Sequence, residues 1–280
     1  MDIEVLEGLF SWFSGYVETF KTGDFDADRN MIIKEDHTAR VRGEIREICL
    51  ALGLGDEDLR LAEAAALLHD VGRFPQYAMY KTFSDRRSCD HAALSVEVLR
   101  EEEVLDGIDP GERELLLRAI SYHNRASLPE EESDGRCLLF SRLLRDADKL
   151  DVWALLLDYY RRRETEGYRN AALELDLSDG GGISEEVYRD LIAGEIVKMK
   201  NVSSIDDFQL LLASWIFDIN FRPALVSVKD RGYLDTTRDL LPRSGEVDLI
   251  FEILRSRLDE RIGAGGRRDG SGASSLHRPS

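Results

Sequence analysis

The chain reads as an all-α protein, and three observations carry that expectation. Apolar residues recur at steps of three and four along its patterned stretches. Strong helix formers lie between acidic N-terminal signals and glycine or proline stops. Only "LELDL", residues 173–177, alternates as a short strand would, which leaves room for one strand pair at most. With 43% hydrophobic residues among 280, there is ample material for a core.

In the first twenty residues Leu6, Phe10, Phe13, Val17 and Phe20 form one helical stripe. After the polar "KTGDFDADRN" a second helix is expected from about Asp36, with His37, Val41, Ile45, Ile48 and Leu52 on its inner face. "DEDLRLAEAAALLHD" is a third, and Gly72 followed by Pro75 ends it just past His69 and Asp70. "DHAALSVEVLREEE" and "DPGERELLLRAISYH" follow; in the second, Asp109, Pro110 and Glu112 make an acidic cap, a first-turn proline and a capping-box partner. The run "GRCLLFSRLLRDADKLDVWALLLDYYRRR" is a largely buried helix with a charged break in its middle. Beyond residue 163 the pattern weakens, although Ser204 with Asp207 marks the cap of a helix holding "FQLLLASWIFDINF", and "EVDLIFEILRSRL" is amphipathic. That apolar segment suits a core or a helical seam between two copies of the chain. A single domain over residues 1–262 is expected, its motifs within 35–151 and accessory helices in 164–262, with a disordered Gly/Ser/Arg tail from 263 to 280.

A net charge of −18 opposes attraction to nucleic-acid backbones and anionic membranes. No apolar run reaches the ~20 residues that span a bilayer, and the N-terminus, with Asp2 and Glu4 and no basic region, fails as a signal peptide. Cys49, Cys89 and Cys137 lack CxxC spacing and read as reduced thiols, so the expected location is cytoplasmic.

Apart from His277 in the tail, the histidines are His37, His69, His91 and His123, each near a helix end on an apolar face. One such histidine is ordinary core. Four imidazoles converging with Asp70 and Asp148 would be costly to bury unless cations draw on their lone pairs. Imidazole with carboxylate suits iron, manganese, cobalt, nickel or zinc better than magnesium or calcium.

In order and setting these residues resemble the HD-domain metal-dependent phosphohydrolases: His37 in "EDHTARV", His69 and Asp70 in "LLHDVGRF", His91 in "DHAALS", His123 in "SYHN" and Asp148 in "DADKLD". The resemblance implies an all-helical HD bundle with additional C-terminal helices. It makes His37, His69, Asp70 and Asp148 ligands of one metal and His91 and His123 ligands of a second, with Asp70 bridging. Asp146 is the rival of Asp148, and Asp151 a supporting residue or a surface charge. The implied activity is hydrolysis of a phosphate ester in a small substrate, nucleotides included, with Asp70, Arg73 and Lys149 as catalytic residues.

Several residues depart from the family's patterns or stand open. Arg73 takes a position often held by lysine, and a guanidinium there can grip phosphate in a bidentate way. His123 is followed by Asn124 rather than a second histidine, and the "GYL" at 232–234 lacks the proline of a Gly-Tyr-Pro motif, which disfavours a cyclic-dinucleotide substrate. Asp85, Arg86 and Arg87 are either a solvated loop or a selector of anionic substrates; Gln76 and Tyr77 either line a cleft or pack; Asn124 orients a ligand or caps its helix. The same histidine and aspartate order is also similar to that of HD-type mixed-valent di-iron oxygenases, and a nucleotide-binding module without turnover is a third reading.

Overall fold

The structure, a computed structural model, describes residues 1–175, 177–179 and 182–265. Their regular elements are all helical, and the β-interaction among them is one parallel bridge between Ser178 and Ser204. None of the described helices is long and apolar enough to cross a membrane. Contacts cluster the chain into two compact units, Met1–Leu177 and the residues from Ser178 onward, a division that no composition change announces.

The first unit holds α1 (Ile3–Glu18), α2 (Phe25–Ala51), α3 (Asp56–Leu68), α4 (Arg73–Tyr80), α5 (His91–Glu101), α6 (Pro110–Tyr122), α7 (Gly135–Glu166) and the short α8 (Ala171–Glu174). α2 lies along both α3 and α7; α6 packs on α7 and α5; α1 covers α3. At the centre α3 is buried almost all round, from Leu59 through the alanines to Leu68, so its end carries His69 and Asp70 into the interior.

Four expectations need correction. α2 begins eleven residues before Asp36, because Asp24 caps it by accepting from the Ala27 amide and Asp26 and Asp28 complement its positive end. Pro75 does not stop a helix: it is the third residue of α4, where the first turn needs no amide donor. The charged middle of α7 is no break, since the helix runs unbroken for 32 residues. The strand expected at 173–177 is replaced by a turn of α8, capped by Asn170 and followed by Leu175 at a φ of 51°. A lone strand without a paired neighbour has nothing to bond to, and Asp176 of that expected strand lies outside the described residues.

The second unit holds α9 (Glu185–Ile192), α10 (Ile205–Ser214), α11 (Arg222–Asp230), α12 (Tyr233–Leu240) and α13 (Gly245–Gly265). α13 packs against α9, α11 and α12, and α10 against α9 and α12. Ser204 caps α10 by accepting from the Asp207 amide, while buried Asp207 accepts from Ser184 and Ser203. α13 extends through Gly265, three residues into the tail expected from 263; the remainder of that tail lies outside the described residues.

Candidate metal centre

Five helices of the first unit deliver the site. On α2 the buried stripe Asn30, His37, Val41, Ile45 and Ile48 turns His37 inward. His69 and Asp70 occupy the turn between α3 and α4. His91 opens α5 under an Asp90 cap that accepts from the Ala92 and Ala93 amides. His123 closes α6, and Asp148 lies on α7 on the same face as Arg145 and Asp151. The α3–α4 turn is held by Ser95 of α5, whose hydroxyl donates to the His69 carbonyl and accepts from the Gly72 amide.

Asp70 divides the cluster. Its Oδ2 lies 3.4 Å from His37 Nε2 and 3.6 Å from His69 Nε2, and Asp148 Oδ1 stands 3.2 and 3.7 Å from the same two nitrogens. Its Oδ1 lies 3.4 Å from His91 Nε2 and 3.6 Å from His123 Nε2. One carboxylate therefore presents one oxygen to each of two ligand sets.

The second ring nitrogens settle which lone pairs face inward. His37 Nδ1 donates to Asp151, His91 Nδ1 to Asp85, His69 Nδ1 to the Ala66 carbonyl and His123 Nδ1 to the Ile120 carbonyl, at 2.6–2.7 Å. Whenever a ring is neutral it is thus left with an acceptor Nε2. His91 and His123 point those acceptors at each other across 3.0 Å, an arrangement that repels unless a cation or a proton intervenes. His37 Nε2, His69 Nε2 and Asp70 Oδ1 are buried and make no hydrogen bond. Orphaned imidazole and carboxylate atoms in these groupings fit transition-metal ions, and the partners on Nδ1 are the usual orienters of ligating histidines.

The remaining expected residues fall into place as follows. Asp151 is buried, not a surface charge, and accepts from Arg40 as well as His37. Asp146 is buried on α7 two positions from Asp148, and it is Asp148 that stands beside His37 and His69. Lys149 is buried rather than on the helix surface. Arg73 lies with Nε 3.6 Å from Asp70 Oδ1, while its Nη1 donates to Gln76, Asp85 and the Phe83 carbonyl. Asp85 is therefore no solvated loop residue: it joins Arg73, Gln76 and His91. Gln76 and Tyr77 are buried packing and hydrogen-bonding groups, and Asn124 donates to Asp90 and Asp85.

Two residues escaped the sequence reading. Lys34 places Nζ 2.5 Å from Asp70 Oδ2, one helical turn before His37. Its signal was the stripe itself, since 30, 34, 37 and 41 share one face; starting the helix near Asp36 hid it. Arg145 is buried and donates to the carbonyls of Tyr122, His123, Arg125 and Ala126, which secures the chain around His123. Its reach across to the end of α6 carries no mark in sequence.

Charge in the cluster is strongly coupled. Burial opposes ionising Asp70 and Asp148, but Lys34 and the histidines at Asp70, and His37 and His69 at Asp148, outweigh it and hold both carboxyls well below their usual range. Burial and then Arg73 push His91 down to about 4, against the pull of Asp85. His37 moves the other way: against burial and Lys34, the carboxylates of Asp148, Asp151 and Asp70 bring it up to about 9.

These opposite shifts predict a stability maximum. Below the ordinary value of 6.5 the unfolded chain protonates His91 while the fold keeps it neutral, so stability falls as pH drops toward 4. The His37 contribution is complete below 6.5 and is lost as pH rises through about 9. Metal-free protein should therefore be most stable near pH 6.5, with slopes on the order of 1 kcal/mol per pH unit per group on either side. Urea denaturation in chelator across that range checks this; a curve rising steadily to pH 9 would contradict the assignment.

Comparison with known proteins gives one match. Residues 35–153 match the family model described as HD domain, a stretch that includes every residue of the cluster beyond Lys34. No curated protein and no solved structure matches the chain. HD domains bind divalent metals and act mostly as phosphohydrolases, and the His/Asp groups here could hold such ions.

Proposed function

Because residues 35–153 of this chain match the HD-domain family model, we propose that it is a metal-dependent phosphohydrolase cleaving the phosphate ester of a small substrate, with nucleotides the foremost class to test. The division of Asp70 between two histidine pairs carries the reading: His37, His69 and Asp148 would hold one ion, His91 and His123 another, and Asp70 both. When bound, a pair of divalent ions supplies Lewis acidity, lowering the pKa of water toward neutrality and offsetting the charge of phosphate.

The chain's own residues supply the rest. Asp151 and Asp85 keep the Nδ1 protons of His37 and His91 in place, so the Nε2 lone pairs stay directed inward. Asp148 has its side chain 22% exposed whereas the four histidines are at most 5% exposed, so solvent reaches the cluster on the Asp148 side. Arg73, beside Asp70 Oδ1, brings fixed positive charge to the side of His91 and His123, and Lys149 enters the reading through its place next to Asp148.

The test is an assay on protein purified without oxygen, after its metal content is measured. Hydrolysis of a generic phosphate monoester by the metal-loaded protein, abolished in Asp70→Ala, is the expected result. Two irons per chain with substrate-dependent oxygen uptake and no phosphatase activity would replace this reading with an oxygenase. Nucleotide binding without turnover would make the domain a binding module.

A further inference from the structure

We propose that Lys34 is a counter-ion that metal displaces from Asp70 and that then binds the anionic group of the substrate. The inference rests on the phosphohydrolase reading for the identity of that anion.

Lys34 Nζ and the first ligand set claim the same atom. The ammonium sits 2.5 Å from Asp70 Oδ2, the oxygen that also faces His37 Nε2 and His69 Nε2. A cation held by those nitrogens and by Asp70 Oδ2 would stand within a few ångströms of Nζ, and two positive charges so close in a poorly hydrated site repel strongly. One must leave, and lysine is built to do so. Its charge rides on a flexible four-carbon stem rooted on α2, one turn before His37, and its side chain is 12% exposed while Asp70 is 3% exposed.

Its destination follows from the other cations nearby. Arg73 is anchored through Nη1 to Gln76, Asp85 and the Phe83 carbonyl and cannot move far without breaking three bonds. Lys34 has its ion pair with Asp70 and the face of the Phe83 ring, 5.7 Å from Nζ. Once Asp70 is taken, the ammonium keeps an aromatic face and needs an anion. A phosphate group drawn to the cations would supply one, so the same lysine that weakens metal binding in the empty protein strengthens substrate binding in the loaded one.

The experiment measures both halves by calorimetry on the full chain, with Mn²⁺ titrated into metal-depleted protein and inorganic phosphate titrated into the Mn²⁺-loaded form. Lys34→Met keeps the stem and removes the charge; Lys34→Arg keeps a charge. The expected result for Lys34→Met is Mn²⁺ affinity raised by on the order of tenfold and phosphate affinity lowered by a similar factor, an ordinary weight for one partly shielded charge. Lys34→Arg should retain phosphate binding near the wild-type value. Unchanged or weaker Mn²⁺ binding in Lys34→Met would overturn the displacement. Equal phosphate binding in wild type and Lys34→Met would overturn the substrate role and leave the phosphohydrolase reading standing. Loaded wild-type protein that takes up Mn²⁺ but no phosphate would overturn that reading, and the substrate role with it.

Discussion

Gly72→Ala is expected to be among the most damaging single-methyl changes in this protein. A Cβ at residue 72 would lie 2.5 Å from the His91 carbonyl oxygen, 2.5 Å from the Ser95 amide nitrogen and 2.9 Å from the Leu94 carbonyl carbon. All three are backbone atoms of α5, so no side chain can swing aside. Gly72 has an ordinary φ of −67°, and glycine is therefore required for space, not for conformational freedom. Either α5 retreats, taking His91 from Asp70, or the α3–α4 turn deforms and moves Asp70 itself. Overpacking of this kind costs about 1–3 kcal/mol, and the Gly72–Ser95–His69 hydrogen bonds are strained with it. Chemical denaturation together with metal stoichiometry checks the prediction. A variant as stable as wild type with unaltered metal content would show that α5 does not sit as close as described.

The second large effect is expected from Asp70→Ala, judged against His123→Ala. If Asp70 serves both ligand sets, its removal should abolish tight binding of both ions, whereas His123→Ala strips a ligand from the second set alone and should leave one ion bound. Loss of a ligand should weaken affinity by more than about 100-fold, the upper end of what disturbing an outer partner does. Asp70→Ala also leaves Lys34 beside His37 without the anion between them, so the metal-free variant should lose stability. A buried charge left unpaired costs about 3–5 kcal/mol, an upper bound here because Lys34 can turn toward solvent. Atomic absorption on the three proteins, dialysed against equal metal, gives the readout. Equal stoichiometry in the two variants would show that Asp70 is not shared.

The match over residues 35–153 also bears on how such a site is read from sequence. His37, His69, Asp70, His91 and His123 were legible because adjacent His-Asp at the end of an apolar helix and repeated imidazoles on apolar faces contradict ordinary burial, whereas Asp148, in the charged "RDADKLD" beside its rival Asp146, was legible only through the resemblance to the HD family. Their helices were legible too, since caps such as Asp90, Asp109 and Ser204 act over two or three residues and leave a local signature.

What sequence alone determined was therefore an all-α chain with a histidine and aspartate set suited to cations, because periodicity, capping and desolvation cost are properties of short segments and of residue types. Only the tertiary structure decided how Asp70 divides its oxygens, which groups hold each Nδ1, why Gly72 must lack a side chain, and that Lys34 and Arg145 belong to the site. Those are distances between residues up to 114 positions apart. They are set by how α2, α3, α5, α6 and α7 pack together, and no local pattern encodes them.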